Sequence, residues 1–201
     1  MMRWVLPALV LFLANPAGPA VAEEPCIADR EKLLALDIWT FDQDPGLGWR
    51  SISVKEGCDA AAADLIAEYH ERLRAKGEPV FIQHPEVGKF EFDDDGTVPL
   101  LYWHEGQVRA GLGDTQAARE LFVLNLETRD SNSFGWNHYA LATIAFLDGD
   151  MEKLKSERDL LAAADQNGIN TAAIDALIRC FDRPYLEAYG SAECRTPRWA
   201  D

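Results

Sequence analysis

The sequence predicts an all-α chain, with antiparallel helical hairpins stacked as a short α-solenoid and one extended excursion near residues 78–98. Three observations carry the prediction. Apolar residues recur at three-to-four spacing in successive stretches between residues 27 and 182. Two Gly-Asp pairs, Gly113-Asp114 and Gly149-Asp150, lie 36 residues apart, each between two such stretches. Only residues 78–98 alternate apolar with polar, through Val80-Phe81-Ile82, Phe90 and Phe92.

The first 22 residues are set aside from the fold. Arg3, an apolar run from Trp4 to Ala14 and the small-residue segment Ala20-Val21-Ala22 follow the order of a cleavable secretory signal. The run is about half of the roughly 20 residues a membrane-spanning helix needs, and Pro7 and Pro16 interrupt it. A lipid anchor would require a cysteine directly after the cleavage site, whereas Cys26 follows Glu23-Glu24-Pro25. No stable membrane anchor is expected, and residues 23–201 are expected to form one helical domain exported into the bacterial periplasm.

Along that domain, Leu33, Leu34 and Ile38 mark a short helix from Ile27 to about Trp39, broken at Asp44-Pro45-Gly46-Leu47-Gly48. Ala62, Leu65, Ile66, Tyr69 and Leu73 mark the next, with Asp59 in its first turn and Gly77 as its stop. The excursion follows, with Asp93-Asp94-Asp95-Gly96 as a turn-prone acidic tip. A calcium loop begun at residue 91 would need a glutamate where Tyr102 stands. Two hairpins then occupy residues 99–165, with helices 100–112 and 115–126, then 134–147 and 151–164. In each turn the glycine takes the left-handed conformation that ends one helix, and the aspartate caps the next. A last helix over 170–182, with Ile174, Leu177, Ile178 and Phe181 on one face, caps the stack.

Charge and cysteines bound the partners. Removing the leader, which carries Arg3 and no acid, takes the net charge from −15 to −16. Nucleic acid and anionic membrane surfaces reward positive charge, so neither is an expected partner. Cys26, Cys58, Cys180 and Cys194 all follow the leader, and an even count in an oxidising compartment reads as two disulfides. Of the three possible pairings, the element-flanking positions favour Cys26 with Cys58 and Cys180 with Cys194; a bridge from Cys26 to Cys194 would join the two ends instead. The spacings contain no CxxC pair, which argues against zinc.

Residues 99–165 resemble tetratricopeptide repeats. Tyr102, Gly106, Ala118 and Phe122 fall where that repeat places an aromatic, two small residues and an aromatic. In the second hairpin Leu141 and Ala142 fit the first helix, while Leu154 and Arg158 stand in place of the small and aromatic residues of the second. The resemblance implies a protein- or peptide-binding scaffold whose concave face, lined by the first helix of each hairpin, would present Trp103, Gln107, Trp136, Tyr139 and Thr143. Basic residues that grip a terminal carboxylate in some of these repeats are absent from those places, so an aromatic groove is the implied surface. Trp136, Tyr139, Ala140, Ile144 and Leu147 also form one helical stripe, which is a core pattern.

No catalytic residue is nominated. His104-Glu105 lacks the second histidine of a zinc-protease helix, since Val108 and Arg109 stand there. His70, His84, His104 and His138 are too scattered to form a short-range metal pair, the serines lack a GxSxG context, and no phosphate loop is present. No metal or cofactor is expected. The leading expectation is a binding scaffold for an unidentified protein or peptide. An inhibitor or immunity-type protein acting on an envelope or secreted enzyme shares the same fold evidence, and a hydrolase of envelope material would need acids that converge only in the fold.

Overall fold

Capping decides where the first helices begin. Asp29 accepts a hydrogen bond from the Lys32 backbone N–H at 3.1 Å, and Asp37 accepts from that of Thr40 at 3.0 Å. Asp37 is itself extended (φ −66°, ψ 157°), so the single helix expected over 27–39 is instead two, α1 (Arg30–Leu34) and α2 (Ile38–Gln43). An aspartate offered as a cap competes with helix continuation, and here it wins. These observations come from a computed structural model that describes residues 26–84, 88–91, 96–127, 135–166 and 168–195. The expected signal segment lies outside the described residues.

After α2 the chain turns back through Gly48 (φ +55°). A Cβ there would stand 1.9 Å from the Phe41 carbonyl oxygen, so only glycine allows this approach. The return places α3 (Arg50–Ser53), a single turn without a side-chain cap that periodicity could not register. α4 (Asp59–Lys76) ends at Gly77 in the left-handed conformation, as the sequence indicates. The excursion is a two-stranded antiparallel hairpin, β1 (Phe81–His84) and β2 (Gly88–Glu91), with Phe81 opposite Glu91 and His84 opposite Gly88. The described strands end at His84 and resume at Gly88, ahead of the acidic run, and Asp93-Asp94-Asp95 lies outside the described residues.

The remaining helices pack in sequence: α5 (Pro99–Gly111) on α6 (Thr115–Glu127), α7 (Trp136–Leu147) on α8 (Met151–Ala164), and α8 on α9 (Ile169–Arg179). α5 also packs on α4, across the hairpin. The two Gly-Asp turns have the same hydrogen bonding. Gly113 N–H reaches the Ala110 carbonyl and Asp114 N–H the Arg109 carbonyl, both at 3.0 Å; Gly149 and Asp150 repeat this on Phe146 and Ala145 at 3.1 and 2.9 Å. Each aspartate then caps the following helix, Asp114 accepting from Ala117 N–H and Asp150 from Lys153 N–H. One residue thus closes the helix behind it through its backbone and opens the helix ahead through its side chain.

Two short helices beyond the expected capping helix complete the described chain, α10 (Tyr185–Gly190) and α11 (Ala192–Arg195). The cysteines pair as Cys26–Cys58 and Cys180–Cys194, with Cα separations of 5.5 and 5.8 Å. The first bridge ties residue 26 to the start of α4, and the second ties the end of α9 to α11. Two disulfides fit an oxidising environment. No helix among the described residues is long and apolar enough to cross a membrane.

Two apolar clusters hold the chain together. One gathers Phe41, Trp49, Leu65, Ile66, Tyr69 and Leu101 from the N-terminal elements; the other gathers Trp103, Phe122, Ala140, Leu154, Leu161 and Leu177 from the hairpins and α9. α5 supplies both, through Leu101 and Trp103, two residues apart and on different sides of the helix.

Candidate functional site

The five residues that the repeat resemblance assigns to a groove are distributed by the fold into three roles. Trp103, Tyr139 and Thr143 are buried, at 2, 3 and 0 % exposure. Trp103 sits at the junction of the hairpins, its ring centred 4.5 Å from Phe122, 4.9 Å from Tyr139 and 5.1 Å from Trp136. Gly106 makes that junction possible, since a Cβ there would meet the Phe122 ring at 2.6 Å. Trp136 is half-buried and donates its indole N–H to the fully buried Asn125, which in turn donates to the Pro99 carbonyl, at 2.8 and 2.7 Å. Thr143 turns its hydroxyl onto the Tyr139 carbonyl of its own helix at 2.9 Å. An aromatic stripe can serve core or groove, and for Trp103 and Tyr139 packing uses it up.

The covering element is α10. The Tyr189 hydroxyl meets that of Tyr139 at 2.9 Å, and the Tyr185 ring packs on Phe146 with centroids 6.1 Å apart. Burial lifts the Tyr139 phenol well above its ordinary pKa, with Tyr189 adding to the shift. The Cys180–Cys194 bridge ties α11 to the end of α9, and the Arg183 fork on Glu193, at 2.9 Å, joins the two flanks of α10.

Gln107 is half-buried, like Trp136, and is the one of the five that lines a cleft of about 440 Å³, within the range of ligand pockets. α5 contributes Gln107, Val108 and Gly111, at the spacing of one helical face. α3 and its flank contribute Trp49, Arg50 and Ser53, α4 contributes Asp59, and α10 contributes Tyr185, Leu186 and Tyr189. The wall is thus assembled from segments up to 140 residues apart. Two further clefts, of about 260 Å³ against β1 and about 380 Å³ beside Phe181, are smaller.

Arg50 is the charged group of this cleft that the fold positions most tightly. Its guanidinium lies 4.3 Å from the Trp49 ring centroid, and its Nε donates to the Asp42 carbonyl at 2.6 Å. Its terminal nitrogens make no hydrogen bond or ion pair among the described residues. Burial pulls its pKa down from the ordinary value, with the Asp42 charge acting the other way. Beneath it, Asp42 is 1 % exposed. The Asp42 carboxylate accepts from Trp49 Nε1 at 3.0 Å, from His104 Nδ1 at 2.7 Å and from the Gln43 amide. Burial works against that charge, but the His104 and Trp49 hydrogen bonds outweigh it and leave the Asp42 pKa below the usual range. Asp42 therefore fixes Trp49 with its side chain and Arg50 with its backbone.

On the facing wall the Tyr185 hydroxyl is buried, with the Gln107 side chain close by but outside hydrogen-bond geometry. No cluster of three or more metal-ligating side chains occurs among the described residues. Sequence reasoning passed over Arg50, Asp42 and Tyr185. The available signals were Asp42, an acid directly after Ile38-Trp39-Thr40-Phe41, and the Trp49-Arg50 neighbours after the Gly-rich loop. Comparison with protein-family models, curated proteins and solved structures finds no match to this chain.

Proposed function

We propose that this protein is an exported, tetratricopeptide-like binding module that holds a protein or peptide segment, and that its binding surface is the cleft between α3 and α10. The observation that carries the reading is the cleft's composition. On one side Trp49 is fixed by the buried Asp42 carboxylate and Arg50 by the Asp42 backbone carbonyl, and on the other Leu186 is 62 % exposed beside Tyr189 and Gln107. Trp, Tyr and Arg are the residue types that binding hot spots favour, and the cleft brings Trp49, Arg50 and Tyr189 together with the cation placed over an aromatic ring. The matched Gly-Asp turns and the Gly106, Ala118 and Phe122 packing support the repeat character. The leader composition and the two disulfides support export.

The surface differs from the one the repeat resemblance implies, because α10 packs against Tyr139 and Phe146, and of the five residues Gln107 is the one that lines the cleft. A photoreactive residue at position 186 tests the reading in the cell. A discrete adduct is expected at 186 but not at Ile169, which is also apolar and 72 % exposed. Equal labelling at both positions would mean general stickiness and would sink the assignment of the cleft.

A further inference from the structure

The arginines of this acidic chain are mostly engaged by acids. Arg30, Arg72, Arg109, Arg119, Arg158 and Arg183 each pair with a carboxylate within 4 Å. Arg74, over the Tyr102 ring, and Arg179, on the Cys194 carbonyl, are held otherwise, and Arg50, which lines the cleft, and Arg195, which lies against a lining residue, share a further arrangement. Arg50 lies over Trp49 with its Nε on a backbone carbonyl. Arg195 lies over the cleft-lining Tyr189, 5.1 Å from the ring centroid, with its Nε on the Tyr189 carbonyl at 2.8 Å. Both are oriented by neutral partners, and the terminal nitrogens of both lack a carboxylate among the described residues. A guanidinium fixed at Nε presents a pre-organised two-pronged donor at little entropic cost.

Building on the binding reading above, we propose that the cleft recognises a peptide through a single carboxylate lying next to an aliphatic side chain. Arg50 takes the carboxylate with its free prongs. Leu186 and Val108 take the aliphatic group, and Gln107 supplies polar contacts for the adjoining amide. Asp59 lines the same cleft and repels a second anion, which selects against runs of acids and against polyanionic sugars. The net charge of −15 rules out long-range attraction of an anion, so recognition rests on this short-range fork.

The test is a titration of the mature, disulfide-bonded protein with N-acetyl tetrapeptides ending in leucine, made as free acid and as carboxamide. The Arg50 Nε–Hε resonance and the Trp49 indole resonance report occupancy. The free acid is expected to bind about tenfold more tightly or better, the usual scale for a charge-assisted pair, and to shift both resonances. Arg50→Gln should equalise acid and amide, and Arg50→Lys should recover part of the difference. Equal affinity of acid and amide for the unaltered protein would overturn the carboxylate assignment while leaving the cleft as the peptide site. Failure of both to perturb any cleft resonance at millimolar concentration would remove the assignment and the site together. An oligouronate binding more tightly than the peptide acid would overturn the choice of a peptide.

Discussion

The N-terminal elements and the hairpin region reach stable packing by different means. In the hairpins the same turn recurs, small residues let helices approach, and aromatic rings fill the junction at Trp103. Polar groups there serve mainly to satisfy one another, as Asn125 does for Trp136 and Pro99. Apart from α4 the N-terminal elements are short and irregular; a disulfide closes them, and the charged Asp42 is buried among them. Asp42 replaces periodic packing with directed hydrogen bonds. The comparison teaches that the regular half supplies one wall of the cleft through α5, while the irregular half places Trp49 and Arg50 opposite it.

The sharpest test of the regular half is Trp103→Ala. Truncating a buried aromatic of this size typically costs about 3–5 kcal/mol, which here falls on the contacts with Phe122, Tyr139 and Trp136. Because α5 feeds both apolar clusters, urea unfolding followed by circular dichroism and by Trp fluorescence should show one weakened, coincident transition. Two separated transitions would break the picture of a shared helix.

The next largest effect is expected in the irregular half. Replacing both Cys26 and Cys58 by serine removes a bridge across 32 residues and should lower stability by about 2–4 kcal/mol. Amide hydrogen exchange should rise first in α1 to α3, with α7 and α8 protected. Uniform loss of protection would show that the two halves differ less than their construction suggests.

The smallest expected effect concerns Asp42 and carries a pH signature. Its folded pKa is depressed, so its contribution is fully present above the unfolded aspartate value of about 4 and is lost as the pH falls through the lower folded value. Asp42→Asn should cost about 1–3 kcal/mol at neutral pH and flatten the acid limb of the stability profile below about pH 4. An unchanged acid limb would indicate that other carboxylates carry it.

How much of this was legible follows the same division. The hairpins could be read because their signals are local, with cap, stop and apolar face within a few residues of one another. The disulfide pairing could be read from the position of each cysteine beside an element. The split of the first helix was missed because Asp37 reads equally as a surface residue and as a cap. α3 and α10 are too short to show a period. The cleft was least legible, since Arg50, Gln107 and Leu186 meet only through the return at Gly48 and the docking of α10. The repeat resemblance pointed to Gln107, which lines the cleft, but had no means of registering that α10 packs against Tyr139 and Phe146.

The Gly-Asp turns also act as a length standard. Because the aspartate is at once the last residue to bond the finished helix and the first to cap the new one, the turn has no slack. Inserting one residue would separate these duties and rotate the second helix by about 100°, turning its small residues away from the partner. An insertion is therefore expected to be tolerated better between the hairpins than within a Gly-Asp turn, where the hydrogen bonds of one aspartate help to set the spacing.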